Sequence, residues 1–327
     1  MRKALLIGIN DYPAGYKLSG CVNDIHLLEP LLSRNGDGSP NFDVLLKENM
    51  GSSQDAMQGI QNLFADSTEV SLLYFSGHGC LNNTGAEIVF PDEIRDSGQY
   101  VGLKMTDIMK VANNSPAANR VVILDCCYAA NMGKPDADVS YSALNNGVSI
   151  LSACEEKQTS MEFSGNGVFT SALCNALSGQ AANIDGSITL GGIYAYADSM
   201  FGAWEQRPVF KTNVSNFVAI RRVEPRVSVD ILRKLKEYFP TEDTLFKLNP
   251  SYEETNSPEW SEYYKTRNPI ADPHHVATFK ELQQLVSVGL VRPVGENHMY
   301  WAAINNKSCC LTDVGKHYWN LVDKKRI

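Results

Sequence analysis

The chain has 327 residues, 43% of them apolar, and a formal charge of −8. That length suits one large domain plus a smaller one, and the apolar content supports a sizeable core and excludes wholesale disorder. Met1 to Pro225 carries 15 Lys and Arg against 24 Asp and Glu, an acidic balance that argues against nucleic acid as its main ligand and suits basic partners or plain solubility.

Lys3 to Ile9 is an apolar run that predicts a buried strand, followed by the turn Asn10 to Gly15. Val22, Ile25, Leu28 and Leu32 share one helical face, with Pro30 inside it marking an expected kink. A short strand over Asp43 to Lys47 precedes an amphipathic helix, Ser53 to Phe64, capped by Ser52 or Ser53. Val70 to Phe75 and Val121 to Asp125 are continuous β-forming runs of the kind buried on both faces of a parallel sheet. Between them lie the strand Glu87 to Phe90, a polar loop from Pro91 to Gly98, and a helix from Met105 to Ala112 capped near Thr106. Beyond the long irregular stretch Ala129 to Asn146 come a strand (Val148 to Ser152), two helices (Phe169 to Leu177 and Leu190 to Trp204) and a last strand, Arg207 to Lys211. The alternation predicts an α/β domain with a mostly parallel sheet flanked by helices, over residues 1–222.

Arg221 to Arg226 is charged, contains a proline and is expected to be a linker. Residues 223–327 then read as helix (Val229 to Tyr238), a polar loop (Asn249 to Pro273), helix (Thr278 to Val288), two strands (Leu290 to Val294 and Met299 to Ile304) and a closing helix opened by Thr312. That order resembles a winged-helix, α+β module. Its charge, 14 Lys and Arg against 13 Asp and Glu, offers little of the basic excess that phosphate contact needs, so a regulatory protein partner is favoured over DNA binding. Phe279, Leu282, Leu285, Tyr300, Trp301, Tyr318 and Trp319 are assigned to its core.

Eight cysteines occur, two pairs of them adjacent, and none in a C-x-x-C arrangement. This usage fits reduced thiols and a cytoplasmic protein better than a secreted disulfide framework or a zinc site. The start, Met1-Arg-Lys before an apolar run, has the charge order of a signal peptide but lacks a cleavage site. No apolar run reaches the ~20 residues of a membrane helix.

Two strand ends carry the chemistry. The first apolar run ends in Ser76-Gly77-His78-Gly79 and the second in Asp125-Cys126-Cys127-Tyr128. In open α/β sheets functional groups collect at the carboxyl ends of adjacent strands. Neighbouring placement would set an imidazole beside a thiol, the arrangement of a Cys–His nucleophile. Of the two thiols Cys127 lies further into the loop, whereas Cys126 points into the domain as a packing residue. A metal held by Cys80, Cys126, Cys127 and His78 is the lesser alternative, because adjacent cysteines chelate one ion awkwardly. His26, within a helical pattern, is a surface or packing residue.

Phe75-Ser-Gly-His-Gly79, Asp125-Cys-Cys-Tyr-Ala129 and Leu18-Ser-Gly-Cys-Val-Asn-Asp24 resemble the caspase-like cysteine peptidases, above all the metacaspase and bacterial branch. Ser149 to Glu155 and Gly167 to Leu173 are similar to the second half of that fold, so the resemblance spans roughly Met1 to Phe217. It implies that Cys127 is the nucleophile, that His78 is general base and acid, and that the N–H groups of Gly79 and Cys127 form the oxyanion hole. It also maps Cys21, Asp24, Ser76 and Asp125 to the substrate pocket. Two carboxylates there favour cleavage of protein substrates after Arg or Lys, with Arg favoured by its bidentate geometry. Otherwise Asp125 caps a turn and Asp24 a helix.

No cofactor is implied. Some metacaspases require calcium, but the acids of Pro91 to Asp96 with Asp136 and Asp138 complete no ligand set, so no metal is assigned. Lys134 and the cluster Arg221, Arg222 and Arg226 are candidate zymogen self-cleavage sites. The expected setting is signalling, defence or cell death. The competing class is an inactive scaffold that keeps the fold.

Overall fold

The computed structural model describes residues 1–82, 85–94, 102–127, 143–153, 162–163, 166–201, 207–264 and 268–327. Lys134, Asp136, Asp138 and Cys154, with most of the long loop after Cys127, lie outside the described residues. The chain divides into two compact units, Met1–Glu224 and Pro225–Ile327.

In the first unit the order is β1 (Arg2–Gly8), α1 (Cys21–Ser33), β2 (Asp43–Glu48), α2 (Ser53–Phe64), β3 (Val70–Ser76), β4 (Gly79–Asn82), β5 (Gly85–Ile88), β6 (Leu103–Lys104), α3 (Met105–Asn114) and β7 (Asn119–Asp125). It continues through β8 (Val148–Ser152), β9 (Glu162–Phe163), β10 (Asn166–Gly167), α4 (Val168–Asn175), β11 (Ser187–Thr189), α5 (Leu190–Met200), β12 (Val209–Asn213) and β13 (Ala219–Arg222). Six strands form one sheet in the order β12-β8-β7-β3-β1-β2. Every pair is parallel except β12 with β8. The expected α/β architecture with a mostly parallel sheet flanked by helices is the one found.

The side-chain period of two explains why the central strands read as unbroken apolar runs. Leu5, Ile7, Leu73, Phe75, Val122 and Leu124 face one core, with Ile60 and Phe64 of α2 and Ile108 of α3. Ala4, Leu6, Leu72, Tyr74, Val121 and Ile123 face the other, with Ile25, Leu28 and Leu32 of α1 and Phe169 and Leu173 of α4. With both faces covered, no polar alternation survives in the sequence. Alternation persists in the edge strand β2, where Leu45 is exposed.

Helix α1 runs from Cys21 to Ser33 with Pro30 inside it. Other local expectations need correction. Thr106 does not cap α3, which begins at Met105 after an extended Lys104 with no side-chain cap. A further strand, β13, follows β12 and pairs with β11 in a separate two-stranded sheet, so Arg221 and Arg222 belong to a strand rather than to a linker.

In the second unit the elements are α6 (Val229–Arg233), α7 (Leu235–Tyr238), β14 (Phe246–Lys247), α8 (Pro258–Tyr263), α9 (Pro273–Ser287), β15 (Val291–Val294), α10 (Met299–Ile304), β16 (Ser308–Leu311) and α11 (Asp313–Asp323). The antiparallel order is β14-β16-β15. Met299–Ile304 is a helix, not the expected strand; it buries Met299, Ala302, Ala303 and Ile304, a one-sided helical spacing. The polar stretch Asn249 to Pro273 holds α8, whose start is fixed by Ser257 accepting from Trp260 N–H. Phe279, Leu282 and Leu285 are core as expected, whereas Trp301 is 45% exposed.

One buried charge ties the first unit together at the amino ends of its strands. The Arg120 guanidinium, 7% exposed, donates to the carbonyls of Ala112, Ala117, Ala118 and Asn146. A lysine at this position has no planar fork and would leave several buried carbonyls unpaired. Arg120→Lys is expected to lower stability by about 1–3 kcal/mol, read as a shift in the urea midpoint at unchanged m-value.

Candidate active site

β3 and β7 are hydrogen-bonded neighbours with Ser76 opposite Asp125, so their carboxyl ends are level. Beyond that row, Gly77 N–H donates to Asp125 O at 3.3 Å. A β-carbon on Gly79 would overlap the Cys127 carbonyl oxygen and lie 3.2 Å from Cys126 Sγ. The Ser76–Gly79 turn and the Cys126–Cys127 turn are therefore packed directly against each other. The fold brings together the predicted residues His78, Gly79 and Cys127. Cys126, fully buried, joins the core that contains Val122 and Leu124, and Cys127 is half-buried.

His78 has an orienting partner that no side-chain pattern could reveal. Its Nε2 lies 2.7 Å from the backbone carbonyl oxygen of Tyr16. A carbonyl only accepts, so Nε2 carries the proton and Nδ1 is the basic nitrogen. Tyr16 lies in the loop between β1 and α1.

Three of the four predicted pocket residues, Asp24, Ser76 and Asp125, gather on the α1–α4 side of the sheet. Ser76 and Asp125 follow Tyr74 and Ile123 at the period of two, and Asp24 lies in the first turn of α1. Asp24 and Asp125 are 1% and 3% exposed. Asp24 Oδ2 accepts from Ser76 Oγ at 3.0 Å and Asp24 Oδ1 accepts from Gly167 N–H at 3.0 Å. Asp125 Oδ2 accepts from Thr170 Oγ at 2.7 Å, and the Thr170 hydroxyl meets Tyr74 Oη at 2.5 Å. A β-carbon on Gly167 would overlap Asp125 Oδ2 and lie 3.1 Å from Asp24 Oδ2, so both carboxylates converge on one small space. Burial, followed by the charges of Asp24 and Asp125, holds the Tyr74 phenol well above its ordinary range, so it stays a neutral hydroxyl. Cys21 starts α1 and is buried.

Tyr12, Tyr16, Gly167 and Thr170 were not among the sequence-derived site residues. Gly167 and Thr170 sit in the quoted Gly167 to Leu173 stretch, so that motif held the signal. Tyr16 acts through its backbone and left none.

The lesser reading, a metal among Cys80, Cys126, Cys127 and His78, does not fit this arrangement. Cys126 faces the core, and burial pushes the Cys80 thiol up to about 11, away from the thiolate a metal needs. Among the described residues no group of three or more His, Cys, Asp and Glu side chains is placed to hold an ion. A cavity of about 620 Å³ lies elsewhere, between β1, β2 and α2, and includes none of these site residues. Among the described residues no helix is long and apolar enough to cross a membrane.

The self-cleavage expectation is narrowed. Arg221 donates from Nε to Arg34 O at 2.9 Å and from Nη1 to Leu177 O at 2.6 Å. Arg222 N–H donates to Asn35 Oδ1 at 3.0 Å, within β13. Both are locked into paired backbone and unsuited as cleavage points, while Arg226 is exposed.

The chain is 29% identical over 159 residues to Metacaspase-1 of Schizosaccharomyces pombe, covering 43% of this chain and 36% of that protein. It is 35% identical over 85 residues to Metacaspase-4 of Arabidopsis thaliana, covering 24% of this chain and 20% of that one. It thus matches well under half the length of these relatives. The crystal structure of Caspase-1 from Spodoptera frugiperda is similar with a TM-score of 0.46 at 14% identity, covering 68% of this chain and 91% of that one. The family model described as the Caspase domain matches residues 1–215, and the chain belongs to that peptidase family.

Proposed function

We propose that the first unit is a cysteine endopeptidase that hydrolyses protein substrates after Arg or Lys, with Cys127 as nucleophile and His78 as general base and acid. The observation that carries this reading is the packing of the His78–Gly79 turn against Cys127 at the level ends of β3 and β7. With Nε2–H committed to Tyr16 O, Nδ1 is the nitrogen that takes the thiol proton. The thiolate attacks the scissile carbonyl carbon, and the imidazolium passes its proton to the leaving amine as the C–N bond breaks. Water, deprotonated by the same imidazole, then opens the thioester and regenerates the thiol.

Gly79 suits an oxyanion-hole role because of its place in the β4–β5 hairpin. Gly79 pairs with Ile88, while Val89 N–H donates to His78 O. Hydrogen-bonded and non-bonded pairs alternate in an antiparallel ladder, so Gly79 N–H is directed away from β5. With Cys127 N–H it would supply two donors to the developing oxyanion.

Asp24 and Asp125 give the pocket its preference. Two buried carboxylates in one small space repel each other unless positive charge enters, and a guanidinium can bond both in its plane. Cys21 and Ser76 complete the wall. The expected setting remains regulated signalling, defence or cell death, with Arg226 as the self-cleavage point retained among the described basic residues.

The second unit is read as a winged-helix-like regulatory module. Helix, strand, two helices and then β15 and β16, with the short α10 inserted between these two strands, in the sheet order β14-β16-β15 support this reading. Lys280, exposed on α9, is paired with Glu254. That favours a protein partner over nucleic acid.

Arg- and Lys-terminated reporter peptides are expected to be cleaved and Asp-terminated ones not; a preference for Asp refutes the pocket assignment. Cys127→Ala is expected to lower turnover ~10³-fold or more. Asp24→Asn should cost about 10- to 100-fold in kcat/KM for Arg, the worth of a charge-assisted hydrogen bond. Gly79→Ala, which presses on the Cys127 carbonyl, should lower kcat of order 10²-fold in folded protein. Fragments that persist in a Cys127→Ala preparation would exclude self-processing.

A further inference from the structure

The hairpin that carries His78 is held open by a side chain from another part of the fold. The β4–β5 register pairs Gly79 with Ile88, which sets His78 opposite Val89 one step earlier. Residues facing each other as a hydrogen-bonded antiparallel pair exchange two N–H···O=C bonds. One is direct: Val89 N–H donates to His78 O at 2.9 Å. The return bond runs through a third group. His78 N–H donates to Tyr12 Oη at 3.0 Å, and Tyr12 O–H donates to Val89 O at 3.0 Å.

The same tyrosine touches the imidazole. Its ring stands edge-on to His78, centroids 4.5 Å apart at 63°, and it is 2% exposed. Burial drives the Tyr12 phenol far above its ordinary range, so the hydroxyl keeps the proton it donates to Val89. The neighbouring glycine makes room for it: a β-carbon on Gly77 would stand 2.6 Å from Tyr12 Oη. The loop that bears Tyr12 is itself fixed. Tyr12 N–H and Leu18 N–H donate to Asn10 O, and Asn49 Oδ1 accepts from the N–H groups of Asn10 and Asp11.

We propose that Tyr12 is a positioning residue for His78, spacing the hairpin by one hydroxyl so that the imidazole leaves the strand end aimed at Cys127. The proposal rests on the reading of His78 as the base for Cys127. Tyr12 and Tyr16 lie in one loop and together grip His78 at its backbone N–H, its ring and its Nε2. Without the hydroxyl, two consequences are open to the hairpin. His78 N–H and Val89 O stay buried and unpaired, or they close directly on each other and swing the imidazole with the backbone.

The test compares unsubstituted protein, Tyr12→Phe and His78→Ala. The rate of Cys127 alkylation by iodoacetamide is followed against pH by mass spectrometry of the Cys127 peptide, alongside kcat and KM on an Arg reporter. Tyr12→Phe is expected to move the alkylation profile toward that of His78→Ala. It should also lower kcat of order 10²-fold with KM changed by less than about threefold. Gly77→Ala, which presses on the same hydroxyl, should shift the profile likewise and serves if Tyr12→Phe does not fold. A Tyr12→Phe profile that coincides with the unsubstituted one, whatever its melting temperature, overturns the proposal and leaves Tyr12 a packing residue. So does a His78→Ala profile identical to the unsubstituted one, since thiol and imidazole are then uncoupled. Unsubstituted protein that cleaves neither Arg, Lys nor Asp reporters refutes the peptidase reading, while the alkylation comparison still decides the role of Tyr12.

Discussion

The register between β3 and β7 is the constraint from which the site follows. Ser76 faces Asp125, so the two chains leave the sheet at the same height and their next residues meet. A slip of one residue would exchange the faces of a whole strand. It would turn Leu73 and Phe75 out of one core and into the other, at a cost no local adjustment could recover. The packing of two hydrophobic layers thus fixes the relative position of His78 and Cys127. The apolar runs are not merely a platform; their burial is what aligns the chemistry.

The same parity separates tasks at the strand ends. Asp125 follows Val121 and Ile123 on the face covered by α1 and α4, whereas Cys126 follows Val122 and Leu124 on the face covered by α2 and α3. Adjacent residues therefore enter different environments. The acid joins Asp24, Ser76 and Thr170 in a polar nest, while the first thiol is sealed in hydrocarbon. Only past the strand does the chain partly expose Cys127. Two neighbouring cysteines can thus differ in access while sharing one short motif.

Much of the frame is legible in the sequence because it is written in periodicity. Runs such as Val70–Ser76 and Asn119–Asp125 announce strands buried on both sides, and a histidine or cysteine closing such a run is conspicuous. What periodicity cannot express is a partner that acts through its backbone. The Tyr16 carbonyl could belong to any residue type, and Tyr12 matters through one hydroxyl bridging two chain segments. Both lie beyond pattern reading. Short amphipathic stretches fail for a different reason. Met299–Ile304 satisfies strand propensity as well as helix propensity, and only the clustering of Met299, Ala302 and Ala303 on one buried side decides between them. Arg221 and Arg222 read as a charged linker because charge marks exposure on average, but the Arg221 guanidinium spends its hydrogen bonds on carbonyls of Arg34 and Leu177.

Asp24 and Asp125 show how a fold can tolerate two buried carboxylates. A carboxylate removed from water needs donors directed at its oxygens. Here three donors come from two separate parts of the chain: the Ser76 hydroxyl on β3, and the Gly167 N–H and Thr170 hydroxyl at the start of α4. Thr170 in turn meets the neutral Tyr74 phenol, so the polarity continues into the core without adding charge. Gly167 contributes in two ways, by its N–H and by its lack of a side chain, since a β-carbon there would fill the space on which both carboxylates converge. Both oxygens of Asp24 and Oδ2 of Asp125 are thus met by donors of the protein itself, which offsets the cost of taking two acids out of water.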